Sequence, residues 1–342
     1  MLEKPAIEDE RIIVCLQVEH GLRIVHLAFL PLGGDLGSAV YRVVAEDNTP
    51  YFCKLRRRDV FNETIVEVPK FLREQGIAQI IPPLVTKSGK LWAELDVFNL
   101  ILYPFVEGTN GYDIELSERQ WADFGAALKQ IHTTTLPLAL LHHLRKERYS
   151  SEWRDLCMDI LQRLEHETFD DPIAVDMAAF LQAKRPMILH AIERAEQLAQ
   201  EMTSRPLEFV LCHSDIHPGN LFIDKAGTPF IIDWDYPMLA PKERDLMFIG
   251  GGQGFKPYVP EQEESSFYRG YRQSQPDPMA LTYYRYERGI TDIVVESERV
   301  LSTTLGSSDR AQSFQYLQWY FLPGGTLEIA ARSDNGGAAL ME

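Results

Sequence analysis

The sequence predicts an α+β fold in which a β-rich first part precedes a larger, mostly helical part. Short apolar runs separated by turn formers dominate residues 39–106, which is typical of β-strands. Segments with apolar residues at helical spacing dominate from residue 118 onward. A length of 342 residues is sufficient for about two domains. We therefore predict a small amino-terminal lobe over residues 1–103, a hinge over 104–108 and a larger carboxy-terminal lobe over 109–332.

The predicted amino-terminal lobe is mostly sheet. Its elements in chain order are a helix over 7–18, strands over 39–45 and 51–55, a helix over 63–75, and two strands within 91–106. Gly21 ends the first helix, and residues 46–50 form the turn of an antiparallel hairpin. Pro69 fits poorly inside the second helix because proline lacks an amide N–H, so this helix either begins near Pro69 or is kinked there. The three arginines at 56–58 are interpreted as a solvated turn.

The predicted carboxy-terminal lobe is mostly helical. Its elements are helices over 118–132, 151–163, 173–202 and 282–305, and two hairpin strands over 221–223 and 230–232. Ser117 and Gln120 have the spacing of a capping box, which predicts the start of the first of these helices. Residues 225–227 form the hairpin turn. Residues 333–342 are small and polar, and we predict that they form a disordered tail.

The charge of the sequence limits the classes of partner. Asp and Glu number 50 and Lys and Arg number 34, which gives a formal charge of −16. Such a chain repels phosphate backbones and anionic lipids, so we expect no nucleic acid and no membrane as partner, whereas a cationic small molecule is compatible. No apolar run approaches the ~20 residues of a membrane span, and the first residues show no signal-peptide pattern. The four cysteines form no Cys-x-x-Cys pair, so we expect reduced thiols and a cytoplasmic location.

The most specific polar spacing surrounds the predicted hairpin. Asp215 and Asn220 lie on the loop that enters its first strand, and Asp233 follows its second strand. Because a hairpin brings the ends of its strands together, Asn220 and Asp233 are expected to converge, and oxygen ligands with open positions suit Mg²⁺. Asp215 can then orient an attacking hydroxyl and accept its proton. The alternative is that these side chains only cap turns, but the ordered set His-x-Asp-x₄-Asn before two strands favours catalysis.

Two segments resemble a known family. HSDIHPGN and IIDWD resemble the catalytic and metal-binding loops of the aminoglycoside phosphotransferase and choline kinase family, whose fold is bilobal and protein-kinase-like. The resemblance covers residues 10–330. The stretches LRKERYSSEWR and IIDWDYPMLAPKERDLMFIGGG are most similar to the branch of the family that phosphorylates spectinomycin.

The resemblance implies roles for the polar residues around the hairpin. Asp215 would be the catalytic base and would contact the acceptor, and Asn220 and Asp233 would bind Mg²⁺. Asp245 would be a buried acid that braces the catalytic loop. Asp235, which lies beside the metal-binding acid, is the residue that we predict to bind a cationic acceptor.

The same resemblance makes the amino-terminal lobe the nucleotide-binding lobe. A kinase needs a lysine on a strand to hold the nucleotide phosphates and an acid on a helix to hold that lysine. Lys54 lies in an apolar run, which favours this role over that of a lysine that protects an edge strand from aggregation. Similarity to the family selects Glu63 as its partner. Glu67, four residues later on the same helix face, remains the alternative.

Further nucleotide contacts are predicted at a glycine-rich turn and at the hinge. Gly34 and Gly37 let backbone N–H groups approach phosphate oxygens, and Ser38 adds a hydroxyl by resemblance. The family fold places the adenine contacts at the carbonyl of Pro104 and the N–H of Val106. Proline keeps its carbonyl and lacks an N–H, so it suits only the first position. The alternative is that Pro104 simply ends a strand.

These features predict an O-phosphotransferase that uses ATP, with GTP as the alternative donor, and Mg²⁺. The resemblance favours spectinomycin, a cationic aminocyclitol, as acceptor and hence a role in antibiotic resistance. A metabolic kinase of choline, homoserine or a sugar remains possible because the fold hosts these activities too. A nucleotide-binding pseudokinase is disfavoured because the lysine and all three polar residues are present. Ser214 stands where protein kinases carry an arginine, so we expect a small-molecule kinase that is active without phosphorylation. We also expect a monomer.

Overall fold

The computed structural model describes residues 3–32, 37–250, 260–272, 275–302 and 305–339. The chain divides into two compact units. The first comprises Met1–Arg145 and Gly219–Pro237, and the second comprises Lys146–Pro218 and Met238–Glu342. The hinge predicted at residues 104–108 therefore lies inside the first unit of this division.

Strands predominate before residue 111 and helices after it, which confirms the predicted α+β class. The helices of the described residues are α1 Asp9–His20, α2 Thr64–Glu74, α3 Glu118–Thr133, α4 Leu138–His143, α5 Glu152–His166, α6 Pro172–Thr203, α7 Glu243–Leu246, α8 Pro260–Tyr271, α9 Pro278–Leu301, α10 Ser307–Trp319 and α11 Thr326–Ala339. The strands are β1 Ile24–Leu30, β2 Ser38–Ala45, β3 Pro50–Arg57, β4 Ala93–Leu95, β5 Phe98–Pro104, β6 Gly108–Asn110, β7 Arg145–Lys146, β8 Val210–Cys212, β9 Leu221–Asp224, β10 Pro229–Ile231 and β11 Met238–Ala240. Among these helices, none combines the length and the apolar character that crossing a membrane requires.

A five-stranded antiparallel sheet in the order β1-β2-β3-β5-β4 dominates the first unit. The predicted hairpin of β2 and β3 is confirmed, whereas β1 was not predicted. Lys54 pairs with Val40 on one side and with Ile101 on the other. It therefore lies on a central strand, and its interpretation as an edge-strand lysine is wrong.

The two faces of β3 carry different side chains because neighbouring residues alternate along a strand. Cys53 and Leu55 are fully buried in the main core, where they join Ile12 of α1. Each such apolar side chain contributes roughly 1.5–3 kcal/mol on burial, so the core holds β3 firmly. Lys54 and Arg56 alternate with these residues and point to the opposite face.

Helix α2 accommodates a proline in its interior. The Asn62 side chain accepts hydrogen bonds from the N–H of Thr64 at 2.9 Å and from its hydroxyl at 2.8 Å, which sets the start of the helix. Pro69 is buried within the helix, where it removes one hydrogen bond to the carbonyl of Ile65. The helix predicted over 63–75 is thus confirmed, and the alternative that it begins near Pro69 is wrong.

A second sheet of the first unit contains the predicted hairpin, in the order β10-β9-β6. Leu221 pairs with Ile231, and the strands are antiparallel. Strand β6 approaches β9 closely at Gly108, where a Cβ would lie 2.1 Å from the carbonyl oxygen of Ile223. Only glycine fits at this position, so Gly108 fixes the attachment of the hairpin to the rest of the unit.

Helix α3 begins with the predicted capping box. The Ser117 hydroxyl accepts from the N–H of Gln120 at 3.3 Å, and the Gln120 side chain accepts from the N–H of Ser117 at 2.8 Å. The Gln120 amide also donates to the carbonyl of Gly227 at 3.2 Å. This last bond ties the start of α3 to the turn of the hairpin.

Helix α9 is the central helix of the second unit and packs against α5, α6, α10 and α11. Its N-cap is Asp277, whose side chain accepts from the N–H of Ala280 at 3.0 Å, so it begins four residues before the predicted start at 282. Gly289 allows α11 to approach, because a Cβ there would lie 2.6 Å from Leu327. Charged side chains on α9 are consequently held in a buried setting.

The chain beyond residue 332 differs from the sequence prediction. Helix α11 continues to Ala339, so residues 333–339 are helical where a disordered tail was predicted. Asp334 accepts two hydrogen bonds from the Arg194 guanidinium, at 2.7 and 2.8 Å. This pair, which links α11 to α6, stabilises a segment whose composition alone indicates disorder.

Candidate active site

Two residues with oxygen-bearing side chains lie at the open end of the β9–β10 hairpin. Leu221 pairs with Ile231, and the N–H of Ile232 donates to the carbonyl of Asn220 at 3.0 Å. Asn220 and Asp233 therefore flank the same end of the hairpin. Asn220 is buried, whereas the Asp233 carboxylate is 42% exposed. An amide oxygen and an accessible carboxylate are donors that suit a hard divalent cation.

The loop after β10 is held in a strained conformation. Asp233 has a φ of +64°, a left-handed conformation that side chains other than glycine adopt at a cost. Trp234 is buried next to it, and its indole N–H donates to the carbonyl of Ile231 at 3.2 Å. The buried tryptophan anchors the loop, and the residues on either side of it turn toward β3.

Lys54 forms ion pairs with two carboxylates of this loop, those of Asp233 and Asp235. Its ammonium nitrogen Nζ lies 2.7 Å from Oδ1 of Asp233 and 2.7 Å from Oδ1 of Asp235. Burial by itself would lower the pKa of Lys54, but the two carboxylates outweigh it and hold the pKa above its usual range. The lysine therefore stays charged.

Arg56 forms the other half of this cluster. It is only 2% exposed, and its Nη1 lies 3.2 Å from Oδ2 of Asp235 and 2.9 Å from the Ser38 hydroxyl. Lys54 and Arg56 are two residues apart on β3 and so share a face. The interpretation of Arg56 as part of a solvated turn is wrong, because the strand continues through it and Asp235 compensates its charge.

Two predicted site residues have surroundings in the structure that differ from those that their predicted roles require. Asp235 is 7% exposed and its two oxygens contact Lys54 and Arg56, so its carboxylate is not presented to a cationic acceptor. Glu63 is exposed at the N-cap of α2, and Lys54 pairs with the two aspartates instead. Glu67, the alternative partner, lies 3.4 Å from Nδ1 of His143. In the structure, Lys54 thus forms ion pairs with two acids of the loop after β10.

The remaining nucleotide predictions fall on the first unit or outside the described residues. Gly34 lies outside the described residues. The carbonyl of Gly37 accepts from the N–H of Arg57 at 2.8 Å, which closes the start of β2 against β3. Pro104 is the exposed last residue of β5, and Val106 is half-buried in the link between β5 and β6. Their proposed contacts with a nucleotide remain predictions.

Asp215 lies on the loop after β8, in the second unit. Asp245 accepts hydrogen bonds from the N–H groups of His213 and Ser214, at 2.9 and 2.6 Å. Ser214 has a φ of +75°, so the loop turns sharply before Asp215. These two bonds give Asp245 the bracing contacts that the resemblance implied.

The carboxylate of Asp215 forms an ion pair with Arg288 of α9, and Nε2 of His217 lies 3.7 Å from its Oδ2. Burial by itself would raise the pKa of Asp215, but Arg288 and then His217 outweigh it and hold the pKa well below its usual range. Sequence reasoning missed Arg288, which is 73 residues away along the chain. The one available signal was the spacing of Arg288 and Asp292, four residues apart on a helix.

Comparisons with known proteins identify the family of the chain. The profile of the phosphotransferase enzyme family matches residues 28–278, which is most of the chain. A solved spectinomycin phosphotransferase in complex with ADP and spectinomycin is 35% identical, with a TM-score of 0.87, over 96% of this chain and 99% of its own. Protein StrN of Streptomyces griseus is 26% identical over 227 residues, which are 64% of this chain and 67% of that protein.

A more distant structure supports the fold alone. An amicoumacin kinase in complex with AMP-PNP and Ca²⁺ is 16% identical, with a TM-score of 0.63, over 95% of this chain and 94% of its own. The family match covers well over half of the chain, and the resemblance found in the sequence is confirmed. The chain therefore belongs to the phosphotransferase enzyme family, has its kinase-like α+β fold, and is a phosphotransferase that acts on a hydroxyl group.

Proposed function

We propose that the protein transfers the γ-phosphoryl group of ATP to a hydroxyl of spectinomycin. The observation that carries the proposal is the full-length similarity to a phosphotransferase whose solved structure holds ADP and spectinomycin. Lys54, Asn220 and Asp233 supply the groups that such a donor requires, within one compact unit.

The donor side of the proposal rests on Lys54 and the hairpin end. Lys54 is held charged by two carboxylates, and it would exchange Asp233 for phosphate oxygens when a nucleotide binds. Asn220 and the accessible carboxylate of Asp233 would hold Mg²⁺. When bound, this ion neutralises charge on the phosphate oxygens. Asp235 stays with Arg56 and keeps Lys54 aligned on β3.

The acceptor side rests on Asp215. We infer that its carboxylate accepts a hydrogen bond from the acceptor hydroxyl, whose oxygen attacks the γ-phosphorus. The new O–P bond forms as the bond from phosphorus to the bridging oxygen of ADP breaks, and the hydroxyl proton passes to Asp215 and then to solvent. A carboxylate with a lowered pKa is a weak base. Its main contribution is therefore orientation, with proton transfer late in the reaction.

The acidic chain suits a cationic acceptor and a cytoplasmic setting. With a formal charge of −16, the protein attracts a dication such as spectinomycin over long distances. All four cysteines are free and buried, which fits a reducing compartment. We propose a cytoplasmic monomer that requires no activating phosphorylation.

An acceptor panel tests the proposal. ATP or GTP consumption is measured with Mg²⁺ and spectinomycin, an aminoglycoside, choline, homoserine or a sugar, and products are mapped by mass spectrometry and NMR. We expect phosphorylated spectinomycin at the highest kcat/KM. Asp215→Asn is expected to lower kcat by about 10²–10⁴-fold with little change in nucleotide affinity. A higher kcat/KM with choline or a sugar than with spectinomycin would show that this compound is the acceptor. Nucleotide binding without acceptor-dependent turnover would indicate a pseudokinase.

A further inference from the structure

Arg288 joins the carboxylate of Asp215 to two other groups of the second unit. Its guanidinium pairs with Oδ1 of Asp215, and its Nε lies 2.8 Å from Oδ1 of Asp292, one helical turn later on α9. The guanidinium carbon also lies 5.3 Å from the centre of the Phe248 ring. One guanidinium thus forms ion pairs with two carboxylates, those of Asp215 and Asp292.

We propose that Arg288 is a positioning residue for phosphoryl transfer, which fixes the carboxylate of Asp215 for the acceptor hydroxyl. The inference rests on the proposed function of Asp215 as the base. Arg288 itself is placed by Asp292 and Phe248, so the orientation of the base is set by α9, the most packed helix of the second unit.

The two hydrogen bonds to Asp245 act on the backbone that precedes Asp215 and not on its carboxylate. His217 lies 3.7 Å from Oδ2, which is beyond hydrogen-bond distance. The ion pair with Arg288 acts directly on the carboxylate. A displacement of about 1 Å in a reacting group can cost about 10²-fold in rate.

The surroundings of Asp215 determine what removal of Arg288 would do. The charged groups that act on Asp215 include Arg288 and Asp292 on α9 and His213 and His217 on its own loop. Arg288 also interacts with Tyr320 after α10, and Asp292 with Glu296. Asp245 on α7 contacts the backbone of this loop. Arg288 is the strongest of the groups that oppose the effect of burial on the pKa of Asp215. Without it, burial and the negative charge of Asp292 act in the same direction, and the pKa of Asp215 rises.

The pH dependence of turnover tests the inference. We expect Arg288→Gln to lower kcat by about 10–100-fold at pH 8 and to leave the KM for ATP unchanged, because the proposed nucleotide residues belong to the first unit. We also expect a shift in the acid limb of the pH profile, which is the pH range in which kcat/KM for spectinomycin falls as the pH is lowered. This limb should move to higher pH by about one unit or more. Arg288→Lys keeps the charge and loses the planar fork, so it retains the wild-type acid limb and recovers only part of kcat.

Two control variants separate positioning from general stability. Arg310 bonds Asp171 at 2.7 and 3.0 Å and has a similar exposure, 15% against 21% for Arg288. Arg310→Gln thus loses a comparable ion pair without touching Asp215, and is expected to lower the unfolding temperature without moving the acid limb. Asp292→Asn keeps the pair of Arg288 with Asp215, and the acid limb is expected to stay low.

Each outcome decides between alternatives. If Arg288→Gln has the wild-type kcat and acid limb, or a lower kcat with an unchanged pH profile, Arg288 has no positioning role and the inference is overturned. If Asp215→Asn retains turnover, the proposed base is wrong, which is a different failure. Should Arg288→Gln not fold, Arg288→Gln/Asp292→Asn removes the unpaired buried acid. A ¹³C NMR titration of the Asp215 carboxylate in this double variant, assigned with Asp215→Asn, then measures the pKa of Asp215 without an activity assay. A pKa higher than that in the wild type supports the inference, and an unchanged pKa overturns it.

Discussion

Asp235→Asn distinguishes the role that the structure gives to Asp235 from the one that the sequence predicts. In the structure, Asp235 holds Lys54 and Arg56 on β3, whereas the sequence prediction makes it a contact for a cationic acceptor. Asparagine keeps the shape of the side chain and removes only its charge. The first role predicts a loss of stability and a weaker nucleotide site, and the second predicts a weaker acceptor site.

The size of the stability loss follows from burial. The exposed fractions are 7% for Asp235, 11% for Lys54 and 2% for Arg56, so all three charges are desolvated. Removal of one partner from a buried ion pair typically costs about 3–5 kcal/mol. Asparagine retains a hydrogen-bond acceptor, and Asp233 still compensates Lys54, so we expect about 2–3 kcal/mol. For a unit of this size, each kcal/mol lowers the unfolding temperature by about 2–4 °C, which gives about 4–12 °C.

Thermal unfolding and steady-state kinetics measure the two effects. We expect the KM for ATP to rise about tenfold, equivalent to about 1.4 kcal/mol, and the KM for spectinomycin to stay within about twofold. Arg56→Met, which removes the cation that pairs with Asp235, is the second substitution of a double-mutant cycle. In Asp235→Asn/Arg56→Met no buried guanidinium lacks its counter-charge, so the double variant is expected to be at least about 1 kcal/mol more stable than additivity predicts.

Two results would refute this reasoning. A tenfold increase in the KM for spectinomycin, with an unchanged unfolding temperature and an unchanged KM for ATP, would return Asp235 to the acceptor site. Strict additivity of the two substitutions would show that Arg56 and Asp235 do not interact in solution.

Three further predictions follow from the same structure. Asp233→Ala is expected to abolish the dependence of nucleotide binding on Mg²⁺ in calorimetric titrations, and an unchanged Mg²⁺ titration would contradict its role as a ligand. Burial raises the pKa of Asp292 to about 6, although the charge of Arg288 acts in the opposite direction. The folded state therefore binds the carboxyl proton of Asp292 more tightly than the unfolded state does. The stability that this proton contributes is lost as the pH rises from about 4 to 6. The stability of the wild type relative to Asp292→Asn is therefore expected to fall by roughly 3 kcal/mol over that range in urea unfolding, and a constant difference would argue against it. Raising NaCl from 50 to 500 mM (about 14 to 4 Å in screening length) is expected to increase the KM for spectinomycin, and a salt-independent KM would exclude charge steering.

The parts of the fold that local sequence determines were predicted well. The capping box at Ser117 and the β9–β10 hairpin each depend on residues within a few positions of one another. The convergence of Asn220 and Asp233 follows from the hairpin alone, since its geometry leaves no other place for its ends. The apolar run around Lys54 also indicated a strand, and the structure places Lys54 on a central one.

The partners themselves could not be predicted, because they come from distant parts of the chain. Lys54 is 181 residues from Asp235, and Asp215 is 73 residues from Arg288. Three consecutive arginines indicate a solvated turn on composition, and only the strand register shows that Arg56 shares the buried face of Lys54. Helix α11 has a composition typical of disorder, and a single long-range pair, Arg194 with Asp334, overrides that tendency.

In both clusters the charged side chains form ion pairs with one another, which constrains how substrates can bind. On the first unit, two cations on β3 face two carboxylates of the loop after β10, and on the second, one arginine of α9 faces two aspartates. Because the first cluster is balanced, an anionic nucleotide gains a free cation only if Asp233 releases Lys54. A divalent cation that takes up Asp233 would cause this release, so metal and nucleotide should bind with positive cooperativity. Asp233→Asn, which weakens the competition for Lys54, is then expected to bind nucleotide more tightly than the wild type in the absence of Mg²⁺ and to gain less from its addition. If the variant binds nucleotide no better than the wild type without metal, the pairing of Lys54 with Asp233 does not limit the site.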